Sequence, residues 1–170
     1  THTLNEWNLN ENENFNNAGE ADIFVSGDDV VFDDAATDTS VRINENLYPK
    51  TVTFDNDTKT YSLSGNGGIS GETGLTKKGN GTLVITSTNT YTGKTTLEGG
   101  VTTVSALADS IVREGALGCY TKEIGRFEIK NGATLRNTVA IKNGVPITIG
   151  EGGAVFQTDG ELTLNKPLYG

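Results

Sequence analysis

From residue 40 onward the chain is written in short runs with every second residue apolar. They are SVRI (Val41, Ile43), TVTF (Val52, Phe54), YSL (Tyr61, Leu63), TLVI (Leu83, Ile85), TTL (Leu97), RFEI (Phe127, Ile129), ATL (Leu135), PITI (Ile147, Ile149) and ELTL (Leu162, Leu164). Gly or Asn-Gly punctuation stands between them: SGNGG, KKGNG, EGG, KNG twice, and GEGG. A period of two sends one set of side chains inward and the other outward. Recurrence about every ten residues, with turn signals between, is the pattern of an all-β fold.

Two kinds of all-β fold fit this rhythm, a sandwich or barrel of hairpins and a parallel β-helix of stacked coils. Three details favour the coils. The runs are three or four residues long, which suits the sides of a coil better than sandwich strands. K-N-G recurs at Lys130–Gly132 and Lys142–Gly144, as if one unit were repeated. Thr and Asn are abundant, and like residues stack well between neighbouring coils. A solenoid stabilises each unit through its neighbours, so a period in the sequence speaks for one. One segment, SALADSIVREGALG (Ser105 to Gly118), breaks the rhythm. Leu107 and Ile111 stand four apart after a Ser105 cap there, which predicts a short helix or a compact loop.

Charge divides the chain further. Of its 170 residues, 1–60 carry 13 acidic and 3 basic side chains, and 61–170 carry 9 acidic and 10 basic. The whole net charge of −9 therefore belongs to the first third, densest at Asn8 to Asp22 and Ser26 to Asp34. Asn-rich residues 1–25 read as a capping segment, and Val30, Val31 and Phe32 as a short strand between acidic pairs. The acidic balance argues against a nucleic-acid partner, and no stretch has the length of a membrane-spanning helix. One cysteine, Cys119, excludes a disulfide within the chain, and with one histidine, His2, it cannot form a Cys/His zinc site. The chain starts at Thr1 without an initiator and reads as a single module taken from a longer polypeptide.

The run GLTKKGNGTLVITSTNTYTGKTTLEGG (Gly74 to Gly100) resembles the autotransporter-associated β-strand repeat, also called the passenger-associated transport repeat. That family's phrase is a Leu-Thr-Lys-x-Gly-x-Gly-Thr-Leu strand, then Asn-x-Tyr-x-Gly, then a Thr-rich strand ending in Gly-Gly. Leu75, Lys77, Gly79, Gly81, Leu83, Asn89, Tyr91, Gly93 and Gly99–Gly100 supply it. Trp7, the Gly27–Asp34 strand, Pro49 with TVTFDN, and YSLSGNGGISG resemble the usual lead-in, so the likeness runs over residues 26–104. It implies a right-handed parallel β-helix in a secreted or surface-exposed bacterial protein, with residues 119–170 as further coils. Such repeats occur in autotransporter passengers and in modular surface proteins, some of them carbohydrate-active. The repeat carries no catalytic residue to transfer. After Gly100 the family has Thr-Leu-x-Val where this chain has Val101-Thr102-Thr103-Val104, which leaves the faces of that strand open, since a one-residue slip swaps them.

Few residues offer chemistry. Gly93–Thr96 (GKTT) has the end of a phosphate loop, but Thr88 replaces its first glycine and a strand follows instead of a helix. A glycosidase needs two converging carboxylates, whereas neighbours among Asp28, Asp29, Asp33 and Asp34 alternate faces along a strand. They read first as a solvated acidic rim at the capping end, and second, through Asp28 and Asp33, as oxygen ligands for Ca²⁺. Cys119 has no partner to activate it. Trp7 is expected to cover an open end of the core, and Tyr91 to pack on a turn or coil edge. Tyr48, Tyr120 and Tyr169 remain as aromatic faces on which a pyranose can stack. Tyr120 has Lys122 and Arg126 nearby, and residues 111–142 hold six basic against three acidic side chains. That surface suits an acidic or pectic glycan, with Tyr120, Lys122, Arg126 and Tyr48 as its contacts; ordinary solvated strand-face charge is the competing reading.

The leading expectation is a non-catalytic, extracellular bacterial β-helix module of about seven coils, roughly 35 Å long at ~4.8 Å per coil. It would space or present other domains of the same polypeptide, with no resident cofactor. A dedicated carbohydrate-binding module is the alternative, and a catalytic fragment of a β-helical lyase or hydrolase the weaker one.

Overall fold

The computed structural model describes residues 6–11 and 13–170; His2 lies outside them. A hairpin of β1 (Phe15–Asn17) and β2 (Glu20–Asp22) precedes the solenoid. The first coil is β3 (Asp29–Asp33), β4 (Ser40–Arg42) and β5 (Asn46–Leu47), and the second is β6 (Thr51–Asp55), β7 (Thr60–Ser64) and β8 (Gly68–Ile69). The third has β9 (Leu75–Lys78), β10 (Thr82–Ile85) and an extended segment around Asn89; the fourth has β11 (Thr95–Leu97) and β12 (Val101–Val104), then the antiparallel pair β13 (Glu114–Gly115) and β14 (Gly118–Cys119). The fifth is β15 (Phe127–Ile129), β16 (Ala133–Asn137) and β17 (Ile141–Asn143), and the sixth is β18 (Ile147–Ile149), β19 (Ala154–Thr158) and β20 (Leu162–Leu164). Finally, β21 (Leu168–Tyr169) begins another coil on β18.

The strands stack as two long parallel sheets, one running β3-β6-β9-β11-β15-β18-β21 and the other β4-β7-β10-β12-β16-β19. A third, shorter side carries β5 on β8 and β17 on β20. All described residues are β or irregular, so the all-β parallel solenoid predicted from the alternation is the observed fold. The seven strands of the longer sheet enclose six coils, one fewer than expected, giving about 29 Å at ~4.8 Å per coil. The apparent ten-residue rhythm is half of the real period. Partners Val52/Leu75, Leu75/Thr95 and Phe127/Ile147 stand 23, 20 and 20 residues apart, because each coil spends one run on each long sheet. The two K-N-G phrases are therefore not one repeated unit. Asn131–Gly132 turn a corner with positive φ (55° and 71°), whereas Lys142–Asn143 lie in β17.

Inward positions stack in columns fixed by register. Phe32, Phe54, Lys77, Leu97 and Ile129 form one; Tyr61, Leu83, Thr102 and Leu135 form another. The strand left open by the sequence is thus settled: Thr102 and Val104 point inward and are buried. Outside, Thr53, Thr76 and Thr96 align as a threonine ladder. Asparagines do not stack like on like. Asn56 is buried at a corner and donates from Nδ2 to the carbonyls of Lys59 (2.6 Å) and Thr82 (3.2 Å), and Asn137 donates to Val139 O (2.8 Å) at another corner. Trp7 covers the N-terminal end of the core as expected, edge-on to Phe24 and Phe32 at 5.3 and 5.4 Å.

Residues 105–118 form a compact loop without a helix. Asp109 accepts from Ile111 N and Val112 N (2.7 and 2.6 Å), so its side chain satisfies donors that a helix would have claimed. Leu107 is buried while Ile111 is 86% exposed, opposite fates for two residues that a helix would have aligned.

Candidate functional site

The repeat phrase is consumed by stacking. Lys77 has no exposed surface and lies inward between Phe54 and Leu97. Its ammonium donates to the carbonyls of Lys78 and Gly79, with Asn56 O at 3.5 Å. Burial holds that ammonium below the ordinary lysine value, against the opposing charges of Asp55, Asp57 and Asp34. Asn89, also fully buried, accepts from Ile69 N (2.9 Å) and donates to Ala116 O (2.7 Å). Tyr91 lies in the turn between β10 and β11, and its ring is buried in the core, where its hydroxyl shares a 2.7 Å bond with Thr95 Oγ1. Burial raises its phenol well above the ordinary value. The glycine of GKTT, Gly93, packs against the Thr73 carbonyl so closely that a Cβ would overlap it. This is a corner between coils, which leaves no cradle for a phosphate.

The acidic residues serve turns. Asp28 accepts from Val25 N (2.7 Å) and Asp33 from Ala35 N (2.8 Å). Asp34 accepts from the backbone N–H groups of Asp57, Thr58 and Lys59 and from the Thr58 hydroxyl. Those donors, Asp57 N foremost, hold its carboxyl below the usual range. Asp29 is likewise lowered by Lys50, then by Thr51. Asp28 precedes β3 and Asp33 ends it, about 16 Å apart at ~3.3 Å per residue, and no three acidic, His or Cys groups converge among the described residues. Several of these aspartates rim a groove of about 760 Å³ between the β1–β2 hairpin and the first coil, floored by Phe15, Val30 and Phe32.

On the insertion, Arg113 lies over the Tyr120 ring, 5.4 Å from its centroid, so one face of that ring already carries a cation. Arg126 pairs with Glu123 (3.0 Å) and reaches Gly93 O, while Lys122 is exposed. Tyr48 is 50% exposed on the first coil, against Gly71 of the second. Tyr120 belongs to the fourth coil, so three coil spacings separate the two rings, about 14 Å along the axis. The structure therefore brings Arg113 of the insertion onto Tyr120 and leaves Tyr48 apart. Arg113, absent from the predicted set, was legible only as one of several basic residues. The Cys119 thiol donates to Thr90 O (3.1 Å), and burial, then Glu114, pushes it up, away from the reactive thiolate.

Residues 75–106 match the family model of the passenger-associated-transport-repeat, the family that the sequence resembles. The match is shorter than the resemblance over 26–104: it covers β9 to β12 and ends two residues into the insertion. No curated protein and no solved structure matches the chain.

Proposed function

We propose that this chain is a non-catalytic spacer and display module of a bacterial surface or secreted protein. The observation that carries the reading is the fate of the matched repeat. Lys77, Asn89, Tyr91 and Thr95, polar residues of the repeat phrase, are all buried and bonded within the coil stack. A stack of continuous backbone ladders and inward aliphatic columns is a stiff rod, able to hold whatever is joined to its ends at a fixed distance. The matched family, a passenger-associated transport repeat, points to an exported location.

The test is incubation of the chain with neutral and acidic polysaccharides, following both turnover and retention in affinity gels. Neither turnover nor retention is expected. Release of products, abolished by Asp33→Asn or Asp34→Asn, would overturn the reading. Retention by a pectic chain, lost in Tyr120→Ala and Lys122→Ala, would favour the alternative of a carbohydrate-binding module. The exposed Lys122 and the Arg113–Tyr120 pair are the observations that keep that alternative in play.

A further inference from the structure

The first coil ends in an edge that is open on one long sheet and occupied on the other. On the β4 sheet, Glu6 bridges Arg42 in parallel and Trp7 N donates to Arg42 O (2.9 Å), so that edge already carries a piece of a further layer. On the other sheet, no strand pairs the outer edge of β3 among the described residues. Lys50 N donates to Asp28 O from the β6 side. Backbone groups alternate sides along a strand, so Asp28, Val30 and Phe32 turn theirs to β6, and Asp29 and Val31 turn theirs to the open edge. That edge runs along the N-terminal groove. Over the five residues of β3, about 16.5 Å at ~3.3 Å each, a volume of about 760 Å³ leaves a section of roughly 46 Å². One strand takes up ~4.8 Å across a sheet and ~10 Å through it, so the groove has room for a single strand.

Charge and register define that strand. Glu6, Asp22, Asp28, Asp29, Asp33 and Asp38 line the groove, and no Lys or Arg lines it among the described residues. Of the nearby cations, Lys50 pairs with Asp29 (2.9 Å), Arg42 is turned to Asn44, and the Lys59 ammonium donates to Ala36 O. The rim therefore keeps an excess of negative charge. Along β3, Asp29, Val31 and Asp33 point outward, whereas Val30 and Phe32 belong to the core, with Trp7 5.4 Å from the Phe32 ring. We infer that β3 takes up an extended segment of a partner polypeptide as a further parallel strand, with basic residues opposite Asp29 and Asp33. A β-branched residue faces Val31, which is 58% exposed, and the two inward positions are small because Trp7 already closes the core. Main-chain bonds to Asp29 and Val31 hold the segment, and its alternate side chains select it.

The peptide Gly-Lys-Ala-Val-Ala-Lys-Gly, blocked at both ends and added to the whole chain, tests this. Trp7 is the only tryptophan and lines the groove, so its emission reports occupancy. The expected result is a saturable change with a Kd below about 1 mM, weakened at least about ten-fold in high salt as the rim is screened. Val31→Pro removes an outward N–H that β6 does not use, and edge strands tolerate proline. It should bind at least about ten-fold more weakly while its circular dichroism and melting stay close to wild type. If that variant misfolds, the peptide answers the same question: proline in place of both alanines deletes the N–H groups that would reach β3, and should abolish binding to the wild-type chain. Glutamate in place of both lysines should abolish it too. No emission change up to about 1 mM peptide would overturn the inference. So would equal binding by the proline peptide, which would remove the backbone pairing, or by the glutamate peptide, which would remove the charge match. A chain that dimerises through β3, with Val31→Pro monomeric and the peptide without effect, would seat a second copy there and overturn the choice of partner.

Discussion

Replacing Lys77 separates two roles of one buried side chain. Its stem fills an inward position between Phe54 and Leu97, and its ammonium satisfies corner carbonyls of Lys78 and Gly79. Lys77→Ala removes three methylenes worth ~0.8 kcal/mol each, about 2.5 kcal/mol before any cavity is counted. It also leaves carbonyls without their donor, at about 1–3 kcal/mol for each that water cannot reach. Lys77→Met keeps the apolar volume and releases the cost of burying a cation, which offsets part of the lost bonding. The expected order is wild type, then Met at about 1–2 kcal/mol less stable, then Ala about 2–3 kcal/mol below Met. Urea unfolding gives these differences from midpoints, provided the slopes agree between variants. The pH dependence adds a second check. The folded chain holds this proton more weakly than the unfolded one, so wild-type stability gains as pH rises from the depressed folded value towards 10.5. The Met deficit should therefore widen over that window. Equal losses in Met and Ala would refute the assignment of packing to the stem, and a Met deficit that does not change with pH would refute the buried cation.

Other positions give sharper or simpler outcomes. Asp34 carries a depressed carboxyl, so its contribution is present above 3.8 and is lost as pH falls through the folded value; acid unfolding of Asp34→Asn, followed by circular dichroism, should lack that part of the transition. Tyr61, which donates to Asp33 O, is pushed up to about 12 by burial and then by Asp33 and Asp34. The unfolded phenol loses its proton first, near 10.0, so stability should fall between there and about 12, and Tyr61→Phe should flatten that alkaline limb in a denaturant series. Gly65→Ala would set a methyl group on the Ile43 carbonyl at φ +119°, whereas Gly27→Ala, at φ +98°, meets open space. Soluble yield and thermal melting should show the first failing to fold and the second costing about 1 kcal/mol in backbone strain.

Apolar alternation located β4, β6, β7, β10, β11, β15, β16, β18 and β20, though not β19, because a column of Val, Leu, Ile and Phe leaves a period-two trace. The trace vanishes where an inward position is polar. Lys77 and Thr102 interrupt the apolar trace, yet both are buried, the first because backbone carbonyls take its donors and the second because register leaves it no choice. The groove was legible only as an acidic, Asn-rich segment, since its apolar floor comes from Phe15 and Phe32, brought together by a hairpin that no periodicity announces. The insertion was visible as a break in rhythm, and of the two readings offered, a short helix or a compact loop, the loop is what forms. Leu107 and Ile111 satisfy the four-residue rule, and a single carboxylate at Asp109 overrides it locally.

Asn89 shows how the insertion is tied to the repeat. On the two long sheets, consecutive coils step by one strand each, β9 to β11 to β15 and β10 to β12 to β16. The short side has an extra layer over the same interval. Asn89 N donates to Gly115 O, Ala116 N donates to Ala106 O, and Gly144 N donates to Ala108 O, so the insertion lays two passes of chain where the long sheets have one. This explains why the fourth coil takes 32 residues between Thr95 and Phe127 when its neighbours take 20. Asn89 stands at the start of that double layer, with one side-chain atom on each neighbour: Oδ1 accepts from Ile69 N and Nδ2 donates to Ala116 O. Asn89→Ala orphans both partners, and at about 1–3 kcal/mol for each buried group the chain should lose about 2–6 kcal/mol. The loss should be felt first in the insertion, because Ile69 remains held in β8 while Ala116 depends on contacts at the base of the loop. Limited proteolysis should then cut between residues 109 and 114 well before any coil opens. If Asn89→Ala melts as wild type does and its insertion resists cleavage, the side-chain bridge is not what fastens the double layer to the stack.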